Sequence, residues 1–366
     1  MKLVISAGDP SGDVRSAELL LELQKLTDVE ASGLGGDRLR EVGASVDFHL
    51  DRYSIMGFGE VIGSLGKMLR LKSMMKEHIL SRNPDVLLLV DYPGFNIPLA
   101  RWACRRGIKV IYYISPQLWA WGRGRVRKIR KYVDLMITMF RFEVDFYREH
   151  GVRAVCSGHP FADSIPRPLE PVVSDTVALL PGSRKQEVER LLEPMLESYS
   201  ILRDRGVASK ARIAKASGVP ADLYPSSGSI PGVILKNSVR AALETSAAAQ
   251  VCSGTATLET SMWGVPFLVA YRTSWITFVL ARLLVRGVDS IGMANIVAGD
   301  KFADELIQGQ VNPQKLADCT EPLMKDTEKR RVCLRGSRKV REALGSSGSS
   351  QRAAEYVLRE IQNGEA

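Results

Sequence analysis

The chain is poor in usable cysteine. Its five cysteines, Cys104, Cys156, Cys252, Cys319 and Cys333, are odd in number and contain no CxxC pair. That spacing argues against a disulfide framework or a zinc site and fits a reducing compartment. No uninterrupted apolar run approaches the ~18 residues that a membrane-spanning helix needs, so none is expected. The N-terminus runs straight into a strand-like segment without a basic n-region, an h-region or a cleavage site, and no secretory leader is expected. Nothing repeats at a fixed period.

What is present reads as an ordinary globular protein. The 366 residues are 45% hydrophobic and 25% charged, enough to bury two cores without disulfides or metals. Lys and Arg number 50 against 41 acidic residues, for a net charge of +9. Such an excess favours an anionic partner: nucleic acid, an acidic membrane surface or a phosphorylated substrate.

The first half alternates short β-rich runs with helical patterns: KLVIS (2–6), DVLLLVD (85–91), IKVIYYIS (108–115) and VDLMITM (133–139), each followed by an amphipathic segment. Continuous apolar strands between helices predict a parallel sheet covered on both faces. The proline-rich stretch SIPRPLEPVVS (164–174) reads as a linker. The pattern then restarts with TVALLPG (176–182), ARIAKA, GVILK, AAQVCSG and PFLVAYR. TSWITFVLARLLVRG (273–287) reads as an apolar helix. The expected division is 1–165, 166–345 and a C-terminal helix at 346–366 that packs across the domains or in a homodimer. Two Rossmann-like α/β domains facing across a cleft would hold a nucleotide-activated substrate against an acceptor.

The chemistry-bearing letters cluster at strand ends, where ligands of α/β sheets sit. In AGDPSGD (7–13), glycines permit a tight turn while Asp9, Ser11 and Asp13 offer acceptors, a donor and a helix cap. A plain strand–turn–helix explains one such residue but not three. In DYPGFN (91–96), Asp91 ends an apolar run, placed to take a proton from a sugar hydroxyl, or else to cap the turn before Pro93. SPQLWAW (115–121) sets Trp119 and Trp121 beside Gln117, suited to sugars and acyl chains or to a core. In LLPGSRKQEVE (179–189), Gly182, Ser183 and Arg184 form an anion site at a helix start. CSGTATLE (252–259) builds a second: Ser253, Gly254, Thr255 and Ala256 let a diphosphate approach, and Glu259 is placed for ribose hydroxyls. No acidic DxD-like pair lies beside either turn, so no metal is expected. The six cations of 123–131 read as a solvated face, and nucleic acid is not expected as a partner because the aromatics of a single-strand platform are missing. GFGEVIG (57–63) imitates a dinucleotide fingerprint with the wrong spacing and no preceding strand. It opens a basic amphipathic stretch, 58–76, that is either core or an interfacial helix for an anionic membrane.

Taken in order, AGDPSGD, MGFGEVIG, DYPGFN, SPQLWAW, SGHPFAD (157–163), LLPGSR, SGTATLE, the YR of VAYRTS and MANIVAG (293–299) resemble the lipid-A-disaccharide synthases, GT-B glycosyltransferases of the lipid A pathway. Two departures stand out: Asp9 replaces a usual Glu, and 205–245 matches poorly. The resemblance implies an inverting transfer from a UDP-sugar donor, UDP-2,3-diacylglucosamine, to an acylated sugar-phosphate acceptor, 2,3-diacylglucosamine 1-phosphate. It implies Asp91 as base with Asp9 and Ser11 nearby, Arg272 and Asn295 in the nucleotide site, no cofactor, and a peripheral place on the cytoplasmic face of the inner membrane. The alternatives are another UDP-sugar enzyme of the same fold (a lipid-linked sugar transferase or a UDP-GlcNAc epimerase) and a non-catalytic nucleic-acid or membrane binder.

Overall fold

The computed structural model describes residues 1–53, 61–120, 122–169, 173–226, 228–275, 278 and 289–362, leaving aside the side chains of 61–65 and 123. The chain divides into two compact units, Met1–Pro160 with Ser346–Ala366, and Phe161–Gly345.

The first unit holds seven parallel strands: β1 (Lys2–Ala7), β2 (Glu30–Gly35), β3 (Ser45–His49), β4 (Val86–Val90), β5 (Val110–Tyr113), β6 (Leu135–Thr138) and β7 (Ala154–Cys156). Their order is β3-β2-β1-β4-β5-β6-β7. The run VLLLV is buried throughout because successive side chains point to opposite, equally covered faces. Leu87 and Leu89 join Leu71, Met75 and Ile79 of helix Val61–Arg82 and Phe95 and Leu99 of helix Pro93–Cys104. Val86, Leu88 and Val90 join Leu19, Leu20 and Leu23 of helix Pro10–Leu26. Helix Ser349–Gln362 completes that second face with Ala353, Ala354 and Val357. It is pinned by Glu360, whose carboxylate accepts from both terminal nitrogens of Arg153 at 3.1 and 2.6 Å.

The second unit holds six parallel strands: β8 (Thr176–Leu180), β9 (Lys210–Ala214), β10 (Val233–Lys236), β11 (Ala248–Cys252), β12 (Phe267–Tyr271) and β13 (Glu305–Ile307), in the order β10-β9-β8-β11-β12-β13. The stretch read as a linker is partly built into this unit. Ile165 is buried and its carbonyl accepts from Arg341, while the Leu169 N–H donates to the Trp263 carbonyl at 2.8 Å. The expected apolar helix at 273–287 lies almost wholly outside the described residues.

Four strands escape the hydrophobic reading. β2 reads EASGLG and β3 reads SVDFH, too polar or glycine-rich to signal a strand, while β7 and β13 have three residues each. The glycine in β2 has a packing reason: a Cβ on Gly33, at φ +132°, would lie 2.3 Å from the Ile5 carbonyl oxygen. In both sheets the strand order reverses once, between β1 and β4 and between β8 and β11. Those two switch points are where α/β sheets open a crevice at the carboxyl edge.

Candidate active site

At the first switch point Ala7 of β1 pairs with Val90 of β4, so Asp9 and Asp91 emerge side by side. Asp9 caps helix Pro10–Leu26, its Oδ1 accepting from the Gly12 N–H at 2.8 Å. Ser11 is exposed one residue inside that helix. Burial raises the Asp91 carboxyl to about 6, and the neighbouring Asp9 charge adds to the rise. Asp91 and Tyr92 both sit in the left-handed region, at φ 42° and 46°. Such conformations are costly for non-glycine residues and persist where the surroundings over-determine them.

Here the surroundings include residues that the sequence did not single out for a role. Asn96 is fully buried and its Nδ2 donates to the carbonyls of Ser6, Val90 and Asp91 at 3.2, 3.1 and 2.8 Å. Its Oδ1 accepts from the Ser6 hydroxyl at 2.7 Å. The buried Tyr112 hydroxyl donates to the Asp91 carbonyl. One amide thus ties the ends of β1 and β4 together, and Tyr112 holds the strained Asp91 backbone. Gly8 lets the Tyr92 ring lie against the first turn, because a Cβ there would come within 2.1 Å of that ring. Asp13 has a structural task instead. It is buried and accepts from the backbone N–H groups of Gly36, Arg38 and Leu39 at 2.7, 3.0 and 3.2 Å.

At the second switch point the two glycine turns follow β8 and β11. The first is already occupied by an anion of the protein itself. Glu187 Oε2 accepts from the N–H groups of Ser183 and Arg184 at 2.9 and 3.2 Å, and Oε1 from the Arg184 guanidinium at 3.0 Å. Gly182, at φ +124°, has no room for a Cβ, which would lie 2.5 Å from Glu187. The Arg184 side chain is otherwise in solvent, 81% exposed. The second turn differs. Helix Thr255–Trp263 starts at Gly254, φ +145°, with no side-chain cap. Ser253 donates its hydroxyl to the Ile291 carbonyl at 2.9 Å, Thr255 is exposed, and Ala256 is half-buried. Glu259, one turn in, has its carboxyl pushed up by burial.

Arg272 is exposed just after β12. Asn295 is not a free ligand: it is buried, and its amide is spent on Ala303, twice, and on the Glu305 carboxylate. In this structure the side chain holds the 303–305 segment. Trp119 is likewise a core residue, and Trp121 lies outside the described residues. The SGHPFAD histidine, His159, is buried against Phe140 and pushed down to about 3 by burial and then by Arg15, which keeps it neutral.

The amphipathic stretch 58–76 splits in two. Residues 58–60 and the side chains of 61–65 lie outside the described set. Leu71 and Met75 are core, and Lys72 and Lys76 lie over the rings of Phe95 and Trp102. Lys67 and Arg70 are exposed around Leu69, itself 56% exposed.

Two parallel-sheet units, each with polar turns at its switch point, make a GT-B glycosyltransferase fold. Solved structures agree on that fold: the calicheamicin glycosyltransferase CalG4 matches with a TM-score of 0.63 at 14% identity, covering 99% of this chain and 98% of that one. MurG of Acinetobacter baumannii matches with a TM-score of 0.60 at 14% identity, covering 98% and 99%. Residues 3–361 match the family model for lipid-A-disaccharide synthetase. A lipid-A-disaccharide synthase of Geobacter metallireducens is 36% identical over 378 residues, 98% of this chain and 96% of the relative. The chain belongs to the lipid-A-disaccharide synthetase family and is a hexosyltransferase.

Proposed function

We propose that the protein joins UDP-2,3-diacylglucosamine to 2,3-diacylglucosamine 1-phosphate, releasing UDP, with Asp91 as the base. The observation that carries this is the half-buried Asp91 carboxyl, set beside Asp9 at the first switch point and raised to about 6. A base with that affinity is mostly ionised at neutral pH and still strong enough to take the proton of an attacking sugar hydroxyl. Inversion requires in-line attack, so the base stands on the acceptor side. The departing UDP carries developing charge on its diphosphate. The Gly254–Ala256 turn, Arg184 and Arg272 supply donors and positive charge for it, and Glu259 suits the ribose. Asn295 supports that site by holding the 303–305 backbone.

The test is UDP release from the diacylated UDP-sugar. It should depend on the lipid monosaccharide phosphate and yield a disaccharide 1-phosphate. UDP-GlcNAc epimerised without any acceptor would overturn the reading in favour of the epimerase alternative.

Both substrates carry acyl chains, and we place the protein peripherally on the cytoplasmic face of a membrane. Among the described residues no helix is long and apolar enough to cross one. The exposed group Lys67, Leu69 and Arg70 on helix Val61–Arg82 supports docking there, since no ion-pair partner is found for either cation among the described residues. Each cation near an anionic surface contributes about 1 kcal/mol, screened by salt. Sedimentation with phosphatidylglycerol vesicles should therefore be strong at low salt and weaken as salt rises. The combined Lys67→Glu, Leu69→Ser, Arg70→Glu variant should stay folded, keep UDP affinity and lose vesicle binding. Parental binding by that variant would move the docking surface elsewhere, first to the basic run 123–131.

A further inference from the structure

The loop that follows β5 is held more firmly than a connection needs. It leaves the sheet beside Asp91, whose N–H donates to the carbonyl of Tyr113, the last residue of β5. Its entry residue, Ile114, is β-branched yet sits at φ 62°, a conformation that such residues adopt only under constraint. Helix Arg141–Glu149 grips the loop at two points from one face, four residues apart. Tyr147 donates its hydroxyl to the Pro116 carbonyl at 3.0 Å, and Glu143 accepts the Trp119 indole N–H at 3.2 Å. Glu143 also accepts the Phe140 N–H at 3.4 Å. The Trp119 ring packs edge-on against Phe142 at 5.2 Å.

From Ser115 to Trp119 every side chain but one is buried. Ser115, Pro116, Leu118 and Trp119 are buried; Gln117 is exposed. No hydrogen-bond partner is found for the Gln117 side chain among the described residues. Its amide offers two donors and an acceptor, the mixture that hydroxyl and amide groups of an acylated amino sugar require. Burying a carboxyl among aromatic rings is costly, and burial indeed lifts Glu143 to about 7. A structure that accepts that cost to fix one exposed amide, on a loop that starts beside a candidate base, is built for contact.

We propose that Gln117 contacts the sugar acceptor, and that Tyr147 and Glu143 are positioning residues that hold its loop beside Asp91. The inference rests on the glycosyltransferase reading and deepens it on the acceptor side.

Steady-state kinetics with each substrate varied in turn tests it. Gln117→Ala should raise the acceptor KM about 3–10-fold, the scale of one neutral hydrogen bond, and leave the donor KM unchanged. Tyr147→Phe keeps the ring and removes the grip on Pro116. It should lower kcat/KM for the acceptor by a similar factor, again without touching the donor. Glu143→Leu should act in the same direction, and Glu143→Gln, which keeps an acceptor for the indole N–H, should recover most of the loss. A parental acceptor KM in Gln117→Ala would overturn the contact. Equal effects of Tyr147→Phe on both substrates would make the clamp merely structural and overturn the positioning role. If the parent released no UDP on addition of acceptor, the glycosyltransferase reading itself would fall. A transferring parent with a silent Gln117→Ala would sink this inference alone.

Discussion

Replacing Asp91 with asparagine should lower turnover about 10²–10⁴-fold, the scale of a lost general base, while making the protein more stable at pH 7. The two effects share one cause. Burial and the adjacent Asp9 charge raise the folded carboxyl from its ordinary 3.8 to about 6. A carboxyl raised in the folded state stabilises the fold when protonated. That contribution is complete below the unfolded value near pH 4 and is lost as pH rises through about 6. Asparagine stays neutral and removes the penalty, worth up to about 3 kcal/mol if each pKa unit is worth about 1.4 kcal/mol. The same shift sets the pH profile. In the proposed role the ionised form acts as base, so kcat/KM should fall about tenfold per pH unit below about 6 in the parent. A higher melting temperature with turnover near that of the parent, under conditions where chemistry is rate-limiting, would remove Asp91 from the role.

Asp91 was legible because a carboxylate closing an all-apolar run has no reason to be there on packing grounds alone. The apparatus that holds it was not. Asn96 reads as a turn residue, and only the pairing of β1 with β4 brings the Ser6 and Val90 carbonyls within reach of its amide. Tyr112 reads as one more apolar strand residue, and its hydroxyl matters only because β5 lies next to β4. Both roles depend on contacts distant in sequence, which hydrophobic periodicity does not encode. The strands it did encode, such as VLLLV, are those whose burial is complete on both faces. EASGLG was invisible for the converse reason, since its glycines serve a close backbone approach rather than a hydrophobic face. In AGDPSGD three polar residues looked alike. The structure separates them by what each can reach: Asp13 closes a neighbouring helix, Asp9 caps its own, and Ser11 remains exposed.

The Gly182–Arg184 turn, expected to meet an anion of the nucleotide, meets one of the protein's own. Its N–H groups do collect an anion, and in this structure the anion is Glu187. Whether a diphosphate can recruit Arg184 depends on what holds the guanidinium now. That hold is an i,i+3 pair with Arg184 81% exposed, the kind worth only a few tenths of a kcal/mol. A charge-assisted bond to a diphosphate is worth about 1.5–3 kcal/mol, more than that hold. Arg184→Ala should accordingly weaken UDP binding by about 1.5–3 kcal/mol, roughly 10- to 150-fold in Kd. Glu187→Gln should act in the opposite sense. It keeps an amide oxygen to accept from the turn, removes a negative charge next to the incoming diphosphate and frees Arg184. UDP should bind about 3–10-fold more tightly as a result, the yield of roughly one relieved charge contact at high dielectric. Isothermal titration with UDP measures both. Weaker binding in a folded Glu187→Gln protein would mean that the carboxylate orients Arg184 for the nucleotide instead of competing with it. Unchanged affinity in both Arg184→Ala and Glu259→Ala would remove the nucleotide from this switch point altogether.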